Sequence, residues 1–174
     1  YALAEAAIEL GALVNLISGP VSIDANKSVS LYKINSANEM LEKVDELMPN
    51  TDIFIGCAAV SDFKPSHYYE NKIKKEDLNF VDLELEKNKD ILCHVAKVYK
   101  SSYVVGFAAE TKNVKENARK KLLNKNLNMI ISNDVSDKSI GFDSDQNEVN
   151  LITKSESIFL KKDKKIRIAR EILK

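Results

Sequence analysis

The sequence has 174 residues, 44% of them hydrophobic and 30% charged, and its 26 basic residues balance its 26 acidic ones. This size and composition predict one domain with a substantial core, and a net charge of zero disfavours a general nucleic-acid binder. No stretch reaches the length of a membrane span and no secretory signal is visible, so we expect a cytoplasmic protein. Two cysteines and two histidines, none at a short metal-ligand spacing, indicate neither a disulfide scaffold nor a zinc site.

The first third of the chain alternates between helical and strand patterns. "ALAEAAIEL" predicts a helix that ends near Gly11, and "LVNLIS" and "VSLYKI" predict short strands. "SANEMLEKVDELM" predicts an amphipathic helix opened by a capping box of Ser36 and Glu39. The apolar run "DIFIGCAA" (52–59) is typical of a parallel strand covered on both faces.

The remainder continues the alternation and then changes character. "FVDLELE" alternates apolar and acidic residues and predicts a half-exposed strand. "KDILCHVAKVYK" and "NVKENARKKLLNK" predict helices, and "YVVGFAA" and "NMIIS" predict buried strands. "EVNLITKSESIFLKK" predicts a hairpin that turns near 154–157. The lysine-rich stretch 161–165 predicts a solvated turn, and "KIRIAREILK" predicts a closing helix.

This order of elements predicts an α/β fold, a Rossmann-like, doubly wound and mostly parallel sheet with a C-terminal β-hairpin, in a single domain over 1–174. In the simplest strand order, 3-2-1-4-5-6, "LVNLIS", "VSLYKI" and "DIFIGCAA" occupy positions 2, 3 and 4. Strand 1 has no counterpart, and no capping residue precedes the first helix. We therefore expect an N-terminally incomplete domain with an upstream strand and glycine-rich turn, and no direct pairing of "LVNLIS" with "DIFIGCAA".

Ligands of open α/β sheets bind beyond the carboxyl ends of the strands. The segments there read "SGP", "CAAVSDFKP", "GFAAET" and "SNDVS", all small or polar. Asp62 could hold a nucleotide group or a metal, or could cap a turn. Lys72, Lys74 and Lys75 lie in a polar loop, where lysines are usually solvated, but their compact charges also suit a polyphosphate.

Four further positions have a functional and a structural interpretation. Lys121 and Lys125 are four residues apart and share one helix face, which could meet a phosphate or be ordinary surface. Cys57 is expected to be a small buried hydrophobic residue, and His94 a structural residue on its helix.

Seven segments together resemble one family in order and spacing: "GPV", "IFIGCAAVSDFKP", "NKIKK", "NKDIL", "VVGFAAET", "SNDVS" and "GFDSDQN". The family is bacterial phosphopantothenoylcysteine synthetase, or phosphopantothenate–cysteine ligase, in many bacteria the C-terminal half of a bifunctional protein with a flavin-dependent decarboxylase. The resemblance implies an enzyme of coenzyme A biosynthesis that uses CTP with Mg²⁺ to activate 4′-phosphopantothenate as an acyl-cytidylate. L-cysteine then displaces CMP. It also implies a homodimer, fusion to or association with the decarboxylase, and FMN only in that decarboxylase domain.

The resemblance also implies a set of site residues. Lys72 is the expected catalytic cation. The expected nucleotide contacts are Gly56, Cys57, Ala58, Asp62, Lys72, Lys89, Asp90, Ile91, Leu92, Phe107, Lys121 and Lys125. The sequence departs from the family at Lys89, where a proline is usual, a tolerable change at a first helical position. The family's asparagine that handles the acyl-cytidylate lies in a segment before the first helix that this sequence does not include, and the Mg²⁺ ligands are unknown.

Two alternatives share the predicted fold. A nicotinamide-dependent oxidoreductase needs a glycine fingerprint and usually an acid after strand 2, where this chain has "SGP". A non-catalytic dimerisation module using the hairpin at 147–162 needs no nucleotide. The residues alone do not distinguish CTP from ATP.

Overall fold

The structure is a computed structural model that describes residues 1–67, 82–136 and 144–174. Its helices are α1 (Ala2–Glu9), α2 (Ala37–Leu47), α3 (Ile91–Val98), α4 (Val114–Asn124) and α5 (Lys165–Ile172). Its strands are β1 (Asn15–Ser18), β2 (Ser30–Lys33), β3 (Ile53–Gly56), β4 (Phe63–Pro65), β5 (Leu85–Lys87), β6 (Tyr103–Glu110), β7 (Met129–Asp134), β8 (Gln146–Thr153) and β9 (Ser157–Lys164).

The main sheet has five strands in the order β3-β6-β7-β8-β9. Strands β3, β6 and β7 are parallel, and β8 and β9 form an antiparallel hairpin beside β7. A separate parallel pair, β1 and β2, does not hydrogen-bond to β3 within the described ranges. The predicted α/β fold with a C-terminal hairpin is therefore confirmed, and "LVNLIS" does not pair with "DIFIGCAA", both of which lie in the described ranges, as expected.

Apolar residues cover both faces of the central strands. Along β7, Ile130 belongs to the cluster beneath α2, α3 and α4, and the next residue, Ile131, belongs to the cluster beneath α5. Both side chains are essentially inaccessible to water. This two-sided burial explains why the parallel strands carry continuous apolar runs.

Both predicted helix boundaries are present. Gly11 follows α1 with a φ of +85°, and the N–H groups of Gly11 and Ala12 donate to Ile8 and Ala7 at 2.8 and 3.0 Å, which closes the helix end. At α2, the Ser36 hydroxyl accepts from the Glu39 N–H at 3.2 Å. The carboxylate of Glu39 reaches back to the N–H of Asn35, one residue before the cap, at 3.0 Å.

Three expectations need correction. Strand β3 is only partly covered, because Ile53 remains 55% exposed. The "FVDLELE" stretch contributes β5 to a two-stranded ribbon with β4, and Leu83 and Leu85 are exposed because this short ribbon packs into neither core cluster. The lysine-rich stretch 161–165 is not a turn, since it completes β9 and begins α5.

No helix in the described ranges is long and apolar enough to cross a membrane.

Candidate functional site

The parallel strands β3, β6 and β7 direct their carboxyl ends, and the loops that follow, toward one edge of the sheet. Gly56 at the end of β3 pairs with Gly106 in the middle of β6, so β6 extends four residues beyond its neighbour, to Glu110. Helix α3 begins beside this step, because its Leu92 packs close to both glycines. We call this step between β3 and β6, where α3 and α4 pack against β6, the recess.

Glycine is required at the base of this recess for packing. A Cβ atom on Gly106 would lie 2.7 Å from Leu92 Cδ2 and 2.9 Å from Leu127 Cδ1, and one on Gly56 would lie 3.2 Å from Leu92 Cδ1. The small residues predicted to admit a ligand therefore first admit the side chain of Leu92. Cys57 and Ala58, the next two residues, are exposed and can face a ligand.

Cys57 is exposed as a residue, contrary to the expectation of a buried one. Its thiol is nevertheless desolvated by the surrounding protein, which raises the pKa of the thiol to about 11. Because this pKa leaves the thiol neutral at neutral pH, Cys57 is not an activated nucleophile.

The ribbon of β4 and β5 brings Asp62 to the start of α3. The Asn88 N–H donates to the Asp62 carbonyl at 2.9 Å, and the Asn88 side-chain amide donates to the Ser61 carbonyl, also at 2.9 Å. These two hydrogen bonds connect the loop after β3 to the segment before α3, although Asp62 and Asn88 are 26 residues apart. Sequence reasoning did not assign Asn88 to the site, although it is the first residue of the "NKDIL" segment.

Asp90 has two partners at the N-terminus of α3. Its Oδ1 accepts from the Cys93 N–H at 2.9 Å, which caps the helix, and its Oδ2 lies 2.8 Å from Lys125 Nζ. Partial burial pulls the pKa of Asp90 upward, but the hydrogen bonds from Lys125 and Cys93 outweigh it and leave the pKa below its usual value. Asp90 is therefore a carboxylate at neutral pH.

Lys121 is paired in the same way with the end of β6. Its Nζ lies 2.7 Å from Oε1 of Glu110, whose side chain is only 14% exposed. The other carboxylate oxygen of Glu110 accepts from the Asn117 amide at 3.3 Å. Helix α4 packs on β6 and β7, and its two predicted lysines extend to carboxylates at the end of β6 and at the start of α3.

The remaining predicted residues differ in whether they can reach the recess. Lys89 is exposed beside Asp90, whereas the Ile91 side chain is buried in the core, so only its backbone can meet a ligand. Phe107 packs on the opposite face of the sheet, beneath α5, and is not brought together with the lysines. Lys72, with Lys74 and Lys75, lies outside the described residues.

The cluster of titratable side chains around His94 has a structural role. His94 Nε2 lies 2.7 Å from Asp45 Oδ1, and the Tyr99 hydroxyl donates to the same oxygen at 2.9 Å. This cluster joins α3 to α2, as expected for a structural histidine. Burial alone would raise the pKa of Asp45, but the hydrogen bonds from His94 and Tyr99 outweigh this effect and hold the pKa below its ordinary value.

A cleft of about 480 Å³ lies beside the recess, between the start of α4 and strands β7 and β8. Asn113, Glu116, Asp134, Glu148 and Asn150 contribute to its lining. None of the predicted site residues lines it. Nor do the described ranges hold any group of three or more His, Cys, Asp or Glu side chains able to bind a metal ion.

The fold and the recess define a Rossmann-like α/β domain with paired lysines at the carboxyl edge of its parallel strands. The sequence matches the family described as "DNA/pantothenate metabolism flavoprotein C-terminal domain" over residues 1–174. The chain therefore belongs to that family.

Several curated relatives carry one name, the coenzyme A biosynthesis bifunctional protein CoaBC. The Bacillus subtilis protein is 45% identical over 155 residues, covering 88% of this chain and 38% of its own length. The Vibrio vulnificus protein is 40% identical over 176 residues, covering all of this chain and 44% of its own length. This chain thus spans less than half the length of these relatives.

Solved structures support the fold. The C-terminal domain of a CoaBC protein superposes with a TM-score of 0.82 at 38% identity, covering 99% of this chain and 77% of that domain. A Cab2 H337A variant, solved in complex with phosphopantothenate-cysteine, gives a TM-score of 0.61 at 16% identity, covering 84% of this chain and 52% of its own. At that identity the second match supports the fold alone.

Proposed function

We propose that this domain is a phosphopantothenate–cysteine ligase of coenzyme A biosynthesis, which joins 4′-phosphopantothenate to L-cysteine at the expense of CTP. Family membership and the names of the CoaBC relatives support the pathway. The observation that carries the nucleotide-dependent chemistry is the pair of lysines, Lys121 and Lys125, at the recess.

The proposed reaction has two steps. The carboxylate of 4′-phosphopantothenate attacks the α-phosphorus of CTP, the P–O bond to the β-phosphate breaks, and pyrophosphate leaves. The cysteine amine then attacks the acyl carbon of the acyl-cytidylate, CMP departs with the bonding electron pair, and the amine loses a proton as the amide forms. The mixed anhydride is already reactive, so the second step needs mainly positioning.

In this scheme the lysines of α4 bind the polyphosphate. Ammonium groups are compact charges suited to phosphate, and a cation fixed near the leaving pyrophosphate stabilises the negative charge that grows there. Lys72 is proposed to act in the same way from its own segment. Gly56, Cys57, Ala58, Asp62 and the start of α3 are proposed to bind the rest of the nucleotide through backbone and carboxylate groups.

The family also implies Mg²⁺, which would neutralise polyphosphate charge. The described residues do not form a protein cage for it, and two carboxylates at the recess, Asp90 and Glu110, already pair with lysines. Mg²⁺ commonly binds through substrate phosphates with few protein ligands. No step of the scheme is therefore assigned to protein-held metal. A homodimer and an association with phosphopantothenoylcysteine decarboxylase remain predictions.

The test is a double substitution, Lys121→Gln with Lys125→Gln, in a calorimetric titration with CTP. Each lost charged hydrogen bond costs about 1.5–3 kcal/mol, so affinity should fall at least about 100-fold for the pair. The matched control replaces Lys115 and Lys120 of the same helix, because Lys120 pairs with Glu116 on the exposed surface and Lys115 borders the separate cleft.

Parallel titrations with ATP and with NAD(P) separate the alternatives. The proposal expects CTP to bind more tightly than ATP, and nicotinamide cofactors not to bind. Equal CTP affinity in the Lys121/Lys125 variant and the control would remove both lysines from the site. Binding of NAD(P) in preference to CTP would favour the oxidoreductase interpretation.

A further inference from the structure

Glu110 connects the end of β6 to two residues of α4. It is the last residue of β6 and pairs in register with Asp134 of β7, so its backbone is fixed by the sheet. Its carboxylate contacts Lys121 at 2.7 Å and Asn117 at 3.3 Å, one turn apart on the same helix. The Asn117 amide also donates to the Lys112 carbonyl at 3.0 Å, which ties the loop between β6 and α4 to this cluster.

The contact with Lys121 is an ion pair that occupies one of the three ammonium donors. Nζ and Oε1 are 2.7 Å apart, the distance of a charged hydrogen bond. The Lys121 side chain is itself 48% exposed. The other two N–H groups of Lys121 can therefore point to a phosphate oxygen while Glu110 keeps the nitrogen in place.

The two lysines differ in how freely they can leave their carboxylates. If Lys121 moved away, the nearly buried Glu110 would keep only the amide of Asn117, and an uncompensated buried carboxylate is strongly unfavourable. Asp90 is 47% exposed and keeps the Cys93 N–H when Lys125 departs. Lys121 is thus held in position, whereas Lys125 can exchange its carboxylate for a ligand.

We infer that Glu110 is a positioning residue that holds the Lys121 ammonium at the recess in the orientation that receives the polyphosphate of the nucleotide. This inference rests on the proposed nucleotide-binding role of Lys121. An immobilised lysine loses less rotamer freedom on binding than a free one. The sign of the effect is diagnostic, because removing a negative charge near a polyphosphate would by electrostatics alone strengthen binding.

The experiment measures CTP affinity and steady-state kinetics for Glu110→Gln, with Glu116→Gln as the matched control. Glu116 also pairs with a lysine of α4, but both side chains of that pair are about two-thirds exposed. We expect Glu110→Gln to weaken CTP binding about 3- to 10-fold and to raise KM for CTP more than it lowers kcat, and Glu116→Gln to change neither. Glu110→Asp, which keeps the charge, should recover part of the affinity and provides a second variant if the glutamine protein unfolds.

A double-mutant cycle with Lys121→Gln identifies the route of the effect. If Glu110 acts through Lys121, the double variant binds CTP no more weakly than Lys121→Gln alone. Unchanged or tighter binding in Glu110→Gln, or losses that multiply in the double variant, would overturn the inference while leaving the nucleotide site intact. If Lys121→Gln itself binds CTP as the unmodified protein does, the assigned role of Lys121 fails and this inference fails with it.

Discussion

Replacement of Gly106 by alanine tests how tightly the floor of the recess is packed. The added Cβ would lie 2.7 Å from Leu92 Cδ2, which is 0.7 Å short of the 3.4 Å at which ordinary contacts begin, and 2.9 Å from Leu127 Cδ1. Leu127 is 1% exposed and therefore has little room to move.

Overpacking of this kind costs about 1–3 kcal/mol, and the alanine recovers about 0.4–1 kcal/mol by restricting the unfolded chain. The free energy of unfolding should therefore fall by about 1.3 kcal/mol at the centre of these ranges and by at most about 2.6 kcal/mol. The central value corresponds to a drop in Tm of roughly 3–5 °C for a chain of this size.

The assay is urea unfolding followed by circular dichroism, with two other glycines as references. At Gly56 the shortest contact would be 3.2 Å, so Gly56→Ala should cost less, and at Gly19 nothing lies within 4 Å of the added carbon. In a Leu92→Ala background the Gly106→Ala penalty should shrink, because the principal clash is removed. A Gly106→Ala protein as stable as the unmodified one would show that the recess floor is not packed as described.

Two further predictions concern stability. Ser36→Ala should lower the free energy of unfolding by about 1 kcal/mol, because it leaves the Glu39 N–H without its side-chain acceptor. Thermal unfolding measures this, with replacement of the exposed Ser101 by alanine as the control. Equal Tm values for the two variants would contradict the capping role of Ser36. Asp45→Asn should also destabilise at neutral pH, by about 1 kcal/mol. Because the folded pKa of Asp45 is depressed, its contribution is present above the unfolded pKa, near 3.8, and is lost as pH falls through the folded value. The difference between the two proteins should therefore shrink when unfolding is repeated near pH 3, and a difference that persists at that pH would argue against the charge of Asp45.

Local patterns in the sequence were enough to predict the helices, the parallel strands and the C-terminal hairpin. The capping box at Ser36 and the glycine after α1 are contacts within one or two turns, which such patterns encode directly. The ribbon of β4 and β5 was missed because β4 has three residues and ends in Pro65, too short and too irregular for a periodic signal.

The site was only partly predictable for a related reason. Lys121 and Lys125 were predicted to share a helix face, and the structure places both at the recess. Their carboxylate partners could not be predicted, because Lys125 and Asp90 are 35 residues apart in sequence and meet only once α4 packs on β6 and β7. Glu110 was overlooked because its burial depends on the same packing.

The contact between the first and last helices bears on how the chain matures during synthesis. Arg170 of α5 donates two hydrogen bonds of 2.7 Å to the carboxylate of Glu9 in α1, across 161 residues of sequence. At about 5–20 residues per second, a ribosome needs roughly 10–30 s to make the intervening chain. Helix α1 is thus made well before α5 and cannot dock against it until α5 has been synthesised, so until then the face of α1 that packs against α5 stays uncovered.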